Sequence, residues 1–168
     1  MNKNKVKIMI RTATLTDVDQ IAMVILKAWK GAYTGIIDPN YIKTMNKDKY
    51  ISIFKNNILN QKEIIYVYYE DEVKGFISGK DSYGKYDCEI IGLYVDPKNQ
   101  GKGIGRLLFK KMLKEFISRG KRSLIVWTLD GANNNDFYLK MGGVKKENKT
   151  LWYGEKSYTG AGFKFDLS

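Results

Sequence analysis

The stretch LYVDPKNQGKGIGRLLFKKMLKEF, residues 93–116, decides the fold predicted for this chain. It leads from an apolar, strand-like run into an amphipathic helix through a turn with glycines at 101, 103 and 105. The predicted apolar stripe of the helix comprises Leu107, Leu108, Met112, Leu113 and Phe116. Because glycine costs backbone entropy, three of them within five residues indicate that something must approach this turn closely.

The same turn predicts an anion-binding site. The first amide groups of a helix lack intrahelical acceptors, and the helix dipole makes this end positive. Lys102 and Arg106 add charge, and the glycines leave the backbone open to a phosphate group. The dinucleotide fingerprint G-x-G-x-x-G fails at Arg106, and no G-x-x-x-x-G-K-[ST] string exists. NAD and ATP therefore lose support as the phosphate ligand, and a glycine-rich turn without any ligand is the less favoured alternative.

Composition limits the chemistry further. The 168 residues, 43% of them hydrophobic, predict one domain spanning 1–168. The chain has no histidine and only Cys88 as cysteine, which excludes Ser-His-Asp and Cys-His nucleophiles and predicts no metal site. No apolar run is long enough for a membrane span, and no signal peptide is recognised, so a cytoplasmic protein is predicted.

Hydrophobic periodicity along the rest of the chain predicts the element order β-α-α-β-β-β-α-β-α-β-β. Strands four and five are predicted from the apolar runs at 86–96 and 122–130, on either side of the glycine turn and its helix. A tight turn is predicted at 70–72, between the second and third strands. The order indicates an α/β (α+β) domain, with a mixed sheet and helices on both sides.

The residues QGKGIG, 100–105, resemble the Q/R-x-x-G-x-G/A motif of the GNAT superfamily of N-acetyltransferases. The preceding LYVDP and the later FYLKMGG resemble the same family in order and spacing. The resemblance covers nearly the whole chain. It implies a mostly antiparallel seven-stranded sheet with about four helices, in which strands four and five splay apart.

The resemblance implies acetyl-CoA as the cosubstrate. Its pantetheine arm would insert between the splayed strands and pair with the backbone of Leu93 and Val95, beside Tyr94, while the amide of Leu93 would polarise the thioester. Its pyrophosphate would bind the turn, formed by Gln100, Gly101, Lys102, Gly103, Ile104, Gly105 and Arg106. The family usually has a pantetheine-binding asparagine at the position of Ala132, so Asn133 is the predicted substitute. Lys140 is a further candidate contact, to a phosphate of CoA.

For catalysis, the resemblance implies Glu89 as general base and Tyr138 as the acid that protonates the departing thiolate. Glu89 is alternatively a strand-end carboxylate in solvent or in a salt bridge, and Tyr138 an aromatic residue of the core. Cys88 is rejected as a nucleophile, since strand alternation predicts that it faces away from Glu89 and Leu93.

The acceptor is predicted to be a primary amine of a small molecule or peptide that attacks acetyl-CoA directly in a ternary complex. Trp29 and Tyr33 lie four residues apart on one helix face and are candidate acceptor contacts. The net charge of +11 leaves two alternatives, a basic nucleic-acid-binding module and a non-catalytic acyl-CoA-binding regulator. Nucleic acid is the less favoured partner because the lysines are dispersed along the chain. No membrane partner is predicted. Whether the chain forms a homodimer stays open.

Overall fold

A computed structural model describes residues 8–168, which form a single mixed sheet with helices on both faces. The strands are β1 Met9–Thr12, β2 Ile64–Glu70, β3 Glu72–Asp81, β4 Cys88–Val95, β5 Ser123–Leu129, β6 Val144–Tyr153 and β7 Lys156–Asp166. The helices are α1 Val18–Tyr33, α2 Pro39–Thr44, α3 Lys47–Leu59, α4 Ile104–Ser118 and α5 Asn134–Lys140.

The strands are ordered β1-β2-β3-β4-β5-β7-β6. Among the described residues, β4–β5 is the parallel pair, and every other neighbouring pair is antiparallel. Because the helix that follows the glycine turn connects these two parallel strands, it must cross from one end of the sheet to the other. The predicted mixed, mostly antiparallel fold is confirmed.

Residues 8–168 form five α-helices where about four helices were expected. The second helical region divides because Met45 is extended and the side chain of Asn46 accepts a hydrogen bond from the Lys49 amide at 2.8 Å, which starts α3. None of the helices between residues 8 and 168 combines the length and hydrophobicity that crossing a membrane requires.

The sheet separates two hydrophobic clusters. One lies under α4 and includes Phe109, Met112 and Phe116, all fully buried. The other lies under α1 and α3 and includes Ile21 and Phe76, also fully buried. The sheet therefore has an α4 face and an α1 face, and the position of a site residue can be stated by face.

The buried stripe of α4 differs from the predicted one. Leu107 is 48% exposed, so its assignment to the stripe was wrong, while Phe109 is fully buried. The buried face follows Ile104, Leu108, Met112 and Phe116, which are successive steps of four residues. At 100° per residue, Leu107 points well away from this line. Leu107 is therefore left on the surface, one turn from the glycine segment.

A β-bulge reverses the alternation of β4. Gly92 is paired with Ser78 and Ile90 with Gly79, so Ile91 is an extra residue on this strand. Leu93 consequently packs against the α4-face cluster that contains Cys88 and Ile90. The prediction that Cys88 and Leu93 lie on opposite faces was wrong, because simple alternation ignores the extra residue. Cys88 is fully buried, and burial raises the pKa of its thiol to about 12, which leaves it unreactive at neutral pH.

The turn between β1 and α1 is held by an ion pair. The two terminal guanidinium nitrogens of Arg11 donate to the carboxylate of Asp17, at 2.7 and 2.9 Å, and the Thr14 amide donates to it at 2.8 Å. Burial acts to raise the pKa of Asp17, but the hydrogen bonds from Arg11 and Thr14 outweigh it and leave this pKa below its usual value. The ionised form of Asp17 therefore stabilises the folded chain.

Replacing Asp17 by asparagine is expected to lower the free energy of unfolding at pH 7 by about 1.5–3 kcal/mol, the range for hydrogen bonds to charged groups. Because the pKa of Asp17 is lower in the folded state than in the unfolded state, its carboxylate stabilises the fold at pH values above the unfolded pKa of about 3.9. This contribution is lost as the pH falls through the folded pKa. The free energy of unfolding should thus fall less steeply with decreasing pH in the variant than in the parent. Urea unfolding at a series of pH values from about 2 to about 7 measures both effects.

The matched control is Asp19→Asn, two residues on. Asp19 pairs with Lys47 at 2.8 Å, but its side chain is 60% exposed. Exposed pairs contribute about 0–1 kcal/mol, so this variant should unfold almost like the parent. Equal losses in the two variants would contradict the assigned role of Asp17.

Candidate active site

A cleft opens where β4 and β5 separate. The two strands pair only at Cys88, Glu89 and Ile90 of β4, whose partners are Leu124, Ile125 and Val126. Beyond Ile90, β4 remains paired with β3 but has no partner on its β5 side. The cleft is lined by Tyr33, Ile90, Ile91, Gly92, Leu93, Tyr94, Val126, Trp127, Thr128, Asn134 and Tyr138. It exposes strand backbone that an extended ligand could pair with.

The glycine turn has the backbone of an anion site. Gly101 and Gly103 have φ of 76° and 82°, a left-handed conformation that suits glycine. α4 starts immediately after Gly103, without a side-chain cap. No acceptor among residues 8–168 takes a hydrogen bond from the amides of 101–106. These amides are therefore free to donate together to one anionic group.

Two side chains of this segment brace the turn. The Gln100 amide nitrogen donates to the Val95 carbonyl at 3.1 Å, which fastens the turn to the end of β4. The Lys102 ammonium donates to the Asn99 side chain at 3.3 Å. Arg106 lies exposed on the first turn of α4, and Lys140 is exposed at the end of α5. Ligand contacts by these four side chains stay predictions.

Tyr138 lies at the cleft on the α4 side. Its side chain is 5% exposed and packs against Phe109 and Phe163, with ring centroids 6.2 and 5.7 Å away. Burial raises the pKa of its phenol well above the ordinary value, so the group stays protonated. Its hydroxyl forms no hydrogen bond within the described part of the chain, although it borders the cleft. Such a hydroxyl is available to donate to a bound ligand.

Asn134, not Asn133, lines the cleft. The Asn134 side chain accepts from the Thr128 hydroxyl at 2.9 Å and donates to the Tyr33 hydroxyl at 3.3 Å. Asn133 precedes α5 and is exposed to solvent. The structure thus places the predicted substitute outside the cleft lining, because the first turn of α5 carries residue 134 toward β5. Burial raises the pKa of Tyr33, which keeps this hydroxyl neutral.

Glu89 lies on the α1 face of the sheet, between Lys80 of β3 and Ile125 of β5. It is half-buried, and it makes no ion pair with any residue from 8 to 168. Glu63 is close enough to interact with it electrostatically, and burial raises the pKa of Glu63. The structure therefore places an unpaired carboxylate one residue before the point where β4 and β5 separate.

The two aromatic residues predicted on α1 lie on one face and differ in their access to the cleft. The Trp29 and Tyr33 rings are in edge contact, with centroids 4.7 Å apart. The Trp29 indole is 7% exposed and donates to the Tyr94 hydroxyl at 3.2 Å, so it supports the cleft from behind. Tyr33 itself lines the cleft. Trp29 does not line the cleft, and it can influence a bound ligand only by positioning Tyr33 and Tyr94, which do.

Several cleft residues escaped sequence reasoning. Trp127 and Thr128 belong to a strand recognised only as a buried apolar run, and Ile91 is the bulged residue of β4. The sequence did offer one signal, because β5 was predicted to separate from β4. The residues of β5 that follow its last pair with β4 must therefore border the opening. The bulge had no sequence signal of its own.

Comparison with known proteins identifies the family. Residues 29–143, more than half of the chain, match the acetyltransferase (GNAT) family, so the protein belongs to this family. The superfamily resemblance inferred from the glycine motif is confirmed. Within residues 8–168, no group of three or more cysteine and acidic side chains is arranged to hold a metal ion.

Two relatives and one solved structure illustrate the likeness. The uncharacterized N-acetyltransferase YuaI of Bacillus subtilis is 27% identical over 136 residues, which cover 77% of this chain and 76% of that protein. A spermidine N(1)-acetyltransferase of Thermoplasma acidophilum is 27% identical over 120 residues, 66% of this chain and 71% of that protein. The PaiA N-acetyltransferase of the same organism, solved in complex with coenzyme A, superposes with a TM-score of 0.78 at 22% identity, covering 95% of this chain and 99% of that one.

Proposed function

We propose that this protein transfers an acetyl group from acetyl-CoA to a primary amine by direct attack in a ternary complex. The observation that carries the proposal is that a cleft and a turn with free amides are joined by the same strand. β4 borders the cleft, and the segment after β4 contains the turn with unpartnered amides at 101–106. A ligand with an anionic group and an extended arm fits both features at once. Family membership and the coenzyme A complex of PaiA support the choice of ligand.

Acetyl-CoA fits the residues present. The free amides of 101–106 would hold its diphosphate, and the exposed Arg106 on the first turn of α4 would add positive charge beside it. The unpaired edge of β4, at Leu93 and Val95, would accept its pantetheine arm, with Asn134 rather than Asn133 as the side-chain contact. The cosubstrate supplies an activated acetyl group, and the chain supplies its position and the handling of protons.

Two residues are assigned to proton transfer. Glu89 accepts a proton from the acceptor ammonium, directly or through water, because it is an unpaired carboxylate beside the opening. Tyr138 donates a proton to the leaving thiolate, because its hydroxyl is protonated, unpartnered and at the cleft. General acid and base groups typically contribute about 10²–10⁴ in rate each. The two groups lie on different sides of the sheet opening, which suits an acceptor and a leaving group that approach from opposite sides.

The acceptor is proposed to be a cationic amine. On the α1 face, Glu89 lies one residue before the opening with Glu63 nearby, and Trp127 and Tyr33 line the opening itself. Carboxylates and aromatic faces both attract an ammonium group. The Thermoplasma acidophilum relative named for spermidine supports polyamines as the first compounds to test.

Saturating coenzyme A is expected to stabilise the protein against thermal unfolding. A hundredfold excess of ligand over its Kd adds about 2.7 kcal/mol, which is a shift of several degrees for a chain of this size. Pantetheine, which lacks the diphosphate, is the control and should produce a much smaller shift. An unchanged midpoint with coenzyme A would remove the cosubstrate from the proposal.

Turnover is tested on a panel of polyamines, aminoglycosides, amino acids and peptides, with release of the free thiol as the measured signal. Polyamines are expected to give the highest kcat/KM. Tight coenzyme A binding without turnover on any amine would favour the alternative of a non-catalytic acyl-CoA-binding regulator. That result would leave the binding assignment intact and remove the catalytic one.

A further inference from the structure

Lys149 holds its ammonium group over an aromatic ring at the cleft. This residue belongs to β6, and its Nζ lies 4.2 Å from the centroid of the Trp127 ring, the closest cation–ring contact recorded between residues 8 and 168. The lysine is exposed, and it has no ion pair within the described residues. Its ammonium is therefore positioned by the ring and not by a carboxylate.

The Trp127 ring is itself fixed in place. It lies against Gly162 on β7, where an added Cβ would come within 2.8 Å of two ring carbons and 3.2 Å of a third. Trp127 also lines the cleft between β4 and β5. A rigid platform at the cleft thus carries a primary amine that belongs to the chain itself.

The base assigned above faces the same side of the sheet. Glu89 is the register partner of Ile125, and Ile125 and Trp127 alternate onto the same face of β5. Lys149 pairs with Gly160, which shares the face of Gly162, so the lysine also projects on this side. A carboxylate, an aromatic platform and a primary amine therefore share one face at the opening.

We propose that Lys149 is an acetyl acceptor of the enzyme's own reaction, so that the protein acetylates itself at this residue. The proposal rests on the proposed function, because acetyl-CoA is the acetyl donor. The Lys149 ammonium gives one proton to Glu89, and the neutral amine forms a bond to the thioester carbonyl carbon. The carbon–sulfur bond breaks, and the thiolate takes a proton from Tyr138. The nitrogen loses its second proton as the amide forms, and this proton restores the Tyr138 phenol, while Glu89 releases its proton to solvent. The products are Nε-acetyl-lysine and coenzyme A, with one proton released to solvent overall.

Acetylation would change the acceptor side of the cleft. It removes the charge of Lys149 and with it the cation–ring attraction to Trp127. The ring face then becomes available to the ammonium of an external acceptor. Self-acetylation is thus a single-turnover event that alters the site seen by later substrates.

The experiment incubates the whole protein with acetyl-CoA in the absence of any other amine and follows acetylation of each lysine by peptide mass spectrometry. The matched control residue is Lys111, which is also exposed and also lies over an aromatic ring, at 5.0 Å from Tyr66 on the α4 face. Lys149 is expected to be acetylated at least tenfold faster than Lys111, at a rate that does not depend on protein concentration. Tyr138→Phe should slow labelling of Lys149 and leave the background at Lys111 unchanged.

A second measurement tests proximity without turnover. Acetic anhydride labels exposed lysines chemically, and bound coenzyme A is expected to protect Lys149 but not Lys111 from this reagent. Equal labelling of the two lysines in both measurements would overturn the proposal. If coenzyme A still raises the unfolding temperature in that case, only self-acetylation fails; if it does not, the proposed function fails as well.

Discussion

Replacing Tyr138 by phenylalanine is expected to lower kcat by about 10²-fold or more, with the affinity for coenzyme A almost unchanged. The hydroxyl is the only group removed, and it forms no hydrogen bond with residues 8–168, so no protein partner is left unsatisfied. The ring remains packed against Phe109 and Phe163. The free energy of unfolding should therefore stay within about 0.5 kcal/mol of the parent.

The pH dependence follows from the raised pKa of this phenol. Because burial keeps Tyr138 protonated beyond the ordinary tyrosine pKa of about 10, its acid form is fully present at pH 7–9. Loss of activity on the alkaline side below pH 10 is thus not expected from this group. Rate measurements between pH 6 and 10, on the parent and the variant, test this directly.

Tyr66→Phe provides the contrast. The Tyr66 hydroxyl donates to the Glu115 carboxylate at 2.9 Å, on the α4 face and away from the cleft lining. Its removal should lower the free energy of unfolding by about 1.5–3 kcal/mol while kcat stays normal. Normal turnover in Tyr138→Phe, or equal losses of turnover in both variants, would refute Tyr138 as the acid.

Replacing Gly103 by valine is expected to weaken coenzyme A binding by about 10- to 100-fold. Gly103 has φ of 82°, which a β-branched residue adopts only under strain, so the turn must move. Movement misaligns the amides of 101–106, and the loss of one or two charge-assisted hydrogen bonds of about 1.5 kcal/mol each gives that range. Isothermal titration with coenzyme A measures the change.

Gly120→Val separates strain from ligand binding. Gly120 has φ of 76° just beyond the end of α4, and like Gly103 it has open space around the position of an added Cβ. Both variants should lose stability by about 1–2 kcal/mol because of the left-handed backbone. Only Gly103→Val should lose affinity for coenzyme A. Equal affinities in the two variants would remove the glycine turn from the binding site.

Much of the molecule follows from local patterns. The apolar runs of β4 and β5, the amphipathic α4 and the glycines between them each depend on residues close together in the chain, where periodicity and backbone preference act directly. The open glycine turn was predicted correctly in kind, and Gly101 and Gly103 have the left-handed backbone that glycine permits. The position of Tyr138 on the helix after β5 followed from the same local order.

Other features depended on how distant segments meet. The extra residue Ile91 exists only as a mismatch between β4 and β3, so simple alternation placed Leu93 on the wrong face. The choice of Asn134 over Asn133 depends on the angle at which α5 leaves β5, and the bracing role of Gln100 depends on its reach back to Val95. The contact of Lys149 with Trp127 spans three strands.

The sequence by itself determined the succession of the seven strands, the glycine turn before α4 and the family, because these depend on neighbouring residues and on their spacing. Only the tertiary structure decided which side chains face the opening between β4 and β5. Strand register, bulges and helix angles are set by packing between segments far apart in the chain, and a change of one residue in register reverses every face.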